Sequence, residues 1–296
     1  MTAVGAPGTL STGSALGEGA ITATALAPPP GRRRWIDVVG PLLGFAAFIG
    51  LWWLAHAWII TSVFDKPNFL IPSPATVVDQ SFLDSVPRTD MLQAVGWTAL
   101  VALVGLAISI TLGVLQAVVM AQATWIERSL WPYLIAAQAI PILAIVPIIG
   151  VVFGFGFGSR VLVCVIISFF PIVSNTLFGL LSADTGQHDL FTLKGAGRWT
   201  RLRKLQLPAA MPAIFTGFRI AAGLSVIGAV VGELFFRRGG QGIGILMETY
   251  RQRNLYPLTY GALILSSLLG IVVFVFFGWL SKLVIGRWHE STRKSG

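Results

Sequence analysis

The chain has 296 residues, 55% of them hydrophobic and 11% charged, with a formal net charge of +9. A soluble domain carries roughly 25% charged residues, so this composition excludes an ordinary soluble enzyme and any disordered or collagen-like class. One cysteine excludes an internal disulfide framework and a cysteine-cluster metal site, and the apolar excess assigns the positive charge to a membrane face rather than to nucleic acid.

In chain order, residues 1–31 are rich in Ala, Gly, Thr, Ser and Pro and end in Pro28-Pro29-Pro30-Gly31. With Arg32, Arg33 and Arg34 they are expected to form a disordered cytoplasmic tail, 1–34. The first apolar run, 35–60, is expected to cross the bilayer. A signal peptide cut near Ala55-His56-Ala57 is the rival reading, but the run exceeds an h-region of about 7–15 residues. An outer loop is expected over 61–90. Five further spans are expected near 91–120, 130–152, 161–183, 209–236 and 259–285, followed by a cytoplasmic tail over 287–296. The expected fold is therefore all-α and polytopic, with about six transmembrane helices and a core over 91–286.

These spans are not uniformly apolar. Gln93, Gln116, Gln138, Ser168, Ser174 and Asn175 interrupt them. A polar group in hydrocarbon must be satisfied by a neighbouring helix or a water-filled path, so each reads either as inter-helix glue or as a pathway contact. Gly105, Gly113, Gly223 and Gly228 would let helices approach closely. Pro132, Pro141, Pro147 and Pro171 each remove an intrahelical hydrogen bond and can kink their spans.

Six spans put both termini on one side. With Arg32–Arg34 in the cytoplasm, thirteen of the 21 Lys and Arg residues fall inside and seven outside, with Arg219 within a span. This bias supports cytoplasmic N- and C-termini. One discord is the outer segment 237–258, which carries four arginines.

The segment 184–208 is long for a connection between bundle helices, which usually takes 2–8 residues. Leu190, Phe191 and Leu193 form an apolar patch, and Gly195-Ala196-Gly197 breaks it. Trp199, Leu202 and Leu205 then recur at helical spacing among Arg198, Arg201, Arg203 and Lys204. Pro208 and Pro212 bracket the start of the next span. Two readings compete: a basic amphipathic helix on anionic membrane lipid, and a docking element for a cytoplasmic protein. Under the second, Gly195 would let the partner approach closely.

The stretch from Gly195 to Arg219 resembles the EAA loop of permease subunits of bacterial ABC importers. Gly195 falls on the family's glycine and Leu207-Pro208 on its Leu-Pro, while Asp189, Leu190 and Phe191 stand where Glu-Ala-Ala would be. Phe69 to Pro74, Pro141 to Gly158, Phe170-Pro171, Asn175-Thr176, Gly232-Glu233 and Gly240 to Gly244 are similar, in order, to segments of the nitrate, sulfonate and taurine group. The resemblance covers about 68–285. It implies a type I importer permease of the bacterial inner membrane, working as two copies or with a related permease. Its implied partners are a cytoplasmic ABC ATPase dimer and an extracytoplasmic solute-binding protein. It implies a coupling role for Asp189, Leu190, Phe191, Gly195, Ala196, Leu207 and Pro208. The implied solute is a sulfonate, taurine or nitrate-like anion, or a vitamin or pyrimidine precursor.

Candidate pathway or gate residues are Gln138, Ser174, Asn175, Arg219 and Glu233. Arg219 and Glu233 lie 14 residues apart on one helix, which puts them within about 40° of one face and roughly 21 Å apart. Each reads as a brace or as a solute ligand. The glycine segments 154–158 and 239–244 lack G-x-G-x-x-G between strand and helix, and the chain holds no G-x-x-x-x-G-K-[ST]. ATP is thus expected on another chain. His56, His188 and His289 lack zinc spacing, and H-E-x-x-H and G-x-S-x-G are absent. No catalytic residue, cofactor or metal is expected. The alternatives are a secondary transporter or channel, for which matching inverted repeats are not evident, and an intramembrane enzyme.

Overall fold

In a computed structural model of the protein, residues 33–286 are described, with side chains from residue 39. The tails expected over 1–34 and 287–296 lie outside the described residues, apart from Arg33 and Arg34. Every regular element among the described residues is helical. Helix α1 (Arg33–Leu54) runs on into a wider π-helical segment, Ala55–Val63. Up to Leu51 the chain forms a unit of its own, in which Leu42, Leu43, Phe45 and Leu51 are exposed. Within the second unit, Trp52 Nε1 donates to the Pro72 carbonyl and His56 Nδ1 lies 2.6 Å from the Ile71 carbonyl oxygen. These contacts tie the π-helical segment to the chain that follows it.

The region expected as an outer loop over 61–90 contains short helices. Ser73 caps α2 (Pro74–Val78) by accepting from the Thr76 N–H, and Pro74 occupies the first helical turn, where its missing N–H costs nothing. Asp84 caps α3 (Ser85–Ala121) in the same way, so this helix starts six residues before the expected span. The third span, expected over 130–152, is two helices rather than one. Helix α4 (Thr124–Ala139) and α5 (Ile142–Phe153) meet at 94° across Ile140-Pro141. Proline pushes the preceding residue out of the helical region, and Ile140 is extended at ψ 125°. Pro132, Pro147 and Pro171 sit inside α4, α5 and α6 (Phe157–Leu181) without ending them. Proline was therefore a correct sign of a break at one position of the four.

Helix α7 (Thr185–Leu193) and a short α8 (Arg198–Arg201) follow. A π-helical turn, Leu202–Gln206, joins α8 to α9 (Leu207–Phe235). Within that turn the Leu207 N–H reaches back five residues to the Leu202 carbonyl. This widening precedes Pro208, which has no N–H to continue the regular ladder. Helix α10 (Ile243–Gln252) and α11 (Tyr256–Ile285) complete the fold. Five helical stretches are long and apolar enough to cross a membrane, and the bent α4–α5 pair makes a sixth if it counts as one span.

The α6–α9 pair forms the most extensive helix contact, and α3 packs on α6 beside it. The approach is close because glycines line it. A methyl group at Gly228 would stand 2.9 Å from the Cys164 Cα, and one at Gly217 would stand 3.0 Å from the Pro171 carbonyl oxygen. On the α3 side, Gly105 faces Cys164 and Gly113 faces Ile172. Cys164 thus sits between two glycines of different helices. Gly223, expected to act similarly, has no such neighbour. Serine hydroxyls supply the polar glue: Ser225 donates to the Ala102 carbonyl at 2.7 Å, and Ser109 and Ser168 share a 2.7 Å bond. Replacing Gly228 by Ala should destabilise the fold by about 1–3 kcal/mol, because a backbone cannot move aside. Gly96→Ala, with nothing within 4 Å, should be neutral or slightly stabilising. Thermal unfolding of both variants in detergent checks the pair.

Candidate functional site

Two regions and a scattered remainder carry the expected functional residues. The first is the connection between α6 and α9. Asp184 caps α7 by accepting from the Gly186 N–H at 3.1 Å. At the other end the chain closes in a Schellman motif: the Ala196 N–H donates to the Phe191 carbonyl and the Gly195 N–H to the Thr192 carbonyl, each at 2.9 Å. Gly195 is left-handed at φ +64°, with open space where a side chain would begin. Its glycine is explained by this backbone turn.

Asp189 is exposed, as are Leu190 and, at 87%, Leu193. The stripe Trp199, Leu202, Leu205 divides. Leu202 and Leu205 are buried, with Leu202 packed in a cluster with Leu180, Ala210 and Ile214, while Trp199 points outward at 74% exposure. Arg201 spans the two halves by donating to the Thr192 hydroxyl at 3.2 Å. The result is a braced projection with apolar tips. Leu207 and Pro208 lie behind it, at the start of α9.

The second region is at the far end of α9. Arg160, at 1% exposure, donates Nε to the Phe236 carbonyl (3.0 Å), Nη2 to the Arg238 carbonyl (2.9 Å) and Nη1 to the Gly240 carbonyl (2.7 Å). Every nitrogen of the guanidinium is used to hold the segment that leaves α9. Glu233 is fully buried and accepts from the Thr98 hydroxyl and from the Gly244 N–H, both at 2.9 Å. Thr98 in turn accepts from the Ile243 N–H at 2.8 Å. The first turn of α10, whose N–H groups have no intrahelical partner, is therefore capped by side chains from α3 and α9.

Glycines make room for this network. A methyl group at Gly242 would fall on the Glu233 carboxylate, and one at Gly240 on the Trp97 ring. Beyond the network, two hydrogen bonds from Arg251 pull the Glu248 carboxyl down to about 2, with Arg237 3.9 Å away. Of the four arginines discordant on charge count, Arg237 and Arg251 thus share Glu248 as a local partner.

The remaining candidates separate. Gln138 is exposed on the wall of a cavity at the α4–α5 break. Asn175 Nδ2 donates to the Pro171 carbonyl at 2.8 Å, with Ser174 at 3.4 Å from the same oxygen. Arg219 faces α11, its guanidinium 4.4 Å from the centre of the Phe274 ring and close against Gly278. The five residues do not converge. Arg160 and Thr98 were missed from the sequence. Arg160 was legible only as a basic residue before an apolar run, and nothing local pointed Thr98 to a carboxylate 135 positions away. Among the described residues no cluster of His, Cys, Asp and Glu could hold a metal.

A family model described as the binding-protein-dependent transport system inner membrane component matches residues 109–287. The formylaminopyrimidine transport permease protein ThiX of Halalkalibacterium halodurans is 31% identical over 258 residues, 86% of this chain and 97% of that protein. The riboflavin transport system permease protein RibX of Chloroflexus aurantiacus is 35% identical over 225 residues, 76% of this chain and 82% of that protein. Among solved structures, an amino acid ABC transporter crystallised with histidines shares the fold, with a TM-score of 0.53 at 17% identity, over 70% of this chain and 98% of that one.

Removing the Glu233 carboxylate by Glu233→Ala strands the Gly244 N–H, while the Thr98 hydroxyl keeps the Ala94 carbonyl as acceptor, at a cost of about 1–3 kcal/mol. Amide exchange over 242–246 should then rise roughly tenfold or more, as 1.4 kcal/mol is a factor of 10. A ligand role alone would cut transport and leave this exchange unchanged.

Proposed function

The chain belongs to the family of binding-protein-dependent transport system inner membrane components, and from that premise we propose how it couples solute passage to ATP hydrolysis on another chain. It is a multi-pass membrane permease subunit, and its family works with an ABC ATPase and a solute-binding protein. In our reading, 184–208 is the EAA-type coupling loop. Asp189, Leu190, Phe191 and Leu193 enter a groove on the cytoplasmic ATPase, and Gly195 and Ala196 set the turn behind them. Exposed Arg198, Arg203 and Lys204 face anionic headgroups beside that contact.

The observation that carries this reading is mechanical continuity. From Arg198 to Phe235 the chain is one 38-residue helical stretch, interrupted in pattern but not in direction of winding. At 1.5 Å per residue it extends about 57 Å. Leu202 packs its near end against Leu180 of α6, so displacement of the exposed tips is delivered to the α6–α9 pair as a rigid-body motion. At the far end, Arg160 and Glu233 fix the segment leading to α10. One coupling loop per chain requires a second permease copy, identical or related, for two ATPase subunits.

The proposed topology places both termini and the coupling loop in the cytoplasm and 236–255 outside. The solute under this reading is an oxyanion such as a sulfonate, taurine or nitrate, or a vitamin or pyrimidine precursor. The latter class matches the substrates for which ThiX and RibX are named, formylaminopyrimidine and riboflavin. ATP hydrolysis is assigned to the partner, since no phosphate-binding G-x-x-x-x-G-K-[ST] exists in this chain.

Leu193→Glu alters a side chain 87% exposed, so the chain should still insert. Co-purification of the ATPase should fall at least about tenfold, the 1.4 kcal/mol expected for losing one buried leucine contact at an interface. Unchanged co-purification would overturn the coupling assignment. Topology has its own check, because the native Cys164 is buried. In intact spheroplasts a membrane-impermeant maleimide should label Arg253→Cys but not Leu193→Cys, with the reverse in inside-out vesicles.

A further inference from the structure

The geometry points to an uncharged, flat heteroaromatic solute for the cavity at the α4–α5 break, and against an oxyanion; this rests on the permease reading above. The cavity is about 800 Å³, within the range of roughly 300–1,000 Å³ typical of small-molecule sites. Its walls come from α3, the α4–α5 break, α6 and α9, including Leu134, Pro141, Phe169, Phe170 and Leu224, with Gln138 as the polar side chain. Among the described residues, no Asp, Glu, Lys or Arg lines it.

An oxyanion entering such a space would lose its hydration and gain no counter-charge, which costs several kcal/mol or more. The two arginines within the core are committed elsewhere. All three nitrogens of Arg160 bond backbone carbonyls. Arg219 lies against Phe274 and Gly278 of α11. It is five residues before Leu224 on α9, which at 100° per residue turns it about 140° away from the cavity wall. Nor do the helix ends supply a field. The negative end of α4 and the positive end of α5 meet at the same break, so their partial charges oppose at close range. What remains is aromatic surface for a ring face, from Phe169 and Phe170. At the ring's edge are an amide from Gln138, which both donates and accepts, and the backbone of two helix ends, where N–H and C=O groups fall outside the intrahelical ladder. That set matches a ring whose edge alternates carbonyl, amino and ring nitrogen groups.

Riboflavin and its phosphate ester, flavin mononucleotide, share one ring and differ by a phosphate charge, so they separate ring recognition from charge. The full-length chain in nanodiscs should quench riboflavin fluorescence saturably, and bind flavin mononucleotide at least tenfold more weakly. Taurine and nitrate should not displace riboflavin. Gln138→Lys, at an exposed position, adds a cation to the wall and should narrow the riboflavin preference at least fivefold. Four results would each overturn the inference: no saturable riboflavin binding, equal binding of both flavins, displacement by taurine or nitrate, or an unchanged preference in Gln138→Lys. If the ATPase still co-purifies in a coupling-loop-dependent way, such a failure rejects the solute class alone. Loss of that co-purification in the unaltered chain would reject the permease coupling instead.

Discussion

Backbone contact between α6 and α9 is the constraint on which the rest of this fold depends. Lipid tails are as apolar as leucine, so no hydrophobic gain draws one span against another. What holds them is dispersion at short range and hydrogen bonds that water cannot compete for. Gly179, Gly217, Gly228 and Gly232 bring α9 to within contact of the α6 backbone along its whole length. On α3, Gly105 approaches Cys164 and the Val161 carbonyl in the same way, and Gly113 meets the Ile172 side chain. Cys164 fills the point where the three helices meet, as a small apolar side chain in a space too narrow for a larger one. The serine bonds across the same seam would be worth little in water. Here the alternative is an unpaired hydroxyl in hydrocarbon.

A tight seam makes a stiff unit, and the two ends of that unit are finished differently. At one end Leu202 locks a projecting loop onto the seam, leaving Leu190, Leu193 and Trp199 uncovered. At the other end two buried charges hold backbone. Arg160 bonds three carbonyls and Glu233 helps cap α10, with no ion pair between them among the described residues. A buried charge that is fully hydrogen-bonded to backbone fixes geometry as well as a paired one does. The chemistry of the loop end is suited to association, and that of the far end to holding shape.

The bent α4–α5 pair stands outside this stiff unit. A break in a helix at membrane depth frees backbone groups that lipid cannot satisfy, so it is tolerated where protein or a cavity covers it. The break at Ile140-Pro141 opens on the cavity walled by Phe169 and Phe170. Among the described residues no charged side chain lines it, Arg160 bonds backbone carbonyls and Arg219 lies against Phe274, and this gives the cavity its chemical character.

Much of this was legible from residues alone. Apolar run lengths determined the all-helical class and the approximate spans. The alternation of patch, glycine and basic helix over 184–208 determined a helix–turn–helix projection, because capping and periodicity are local properties. Gly195 was singled out for close approach of a partner, and the structure gives it another reason: its left-handed φ closes a Schellman turn, which local backbone sterics demand. Other features could not be read, since they depend on which faces meet. Four prolines looked equivalent, and only Pro141 marks a full break. Leu202 and Trp199 shared one stripe, and packing buried one and exposed the other. Glu233 and Arg219 shared a face, yet one caps a helix and the other lies under an aromatic ring. The sequence by itself determined the number and nature of the elements, through hydropathy and turn chemistry. Only the tertiary structure decided the fate of each polar group, because in hydrocarbon a charge takes its role from the partners that folding brings within 3 Å.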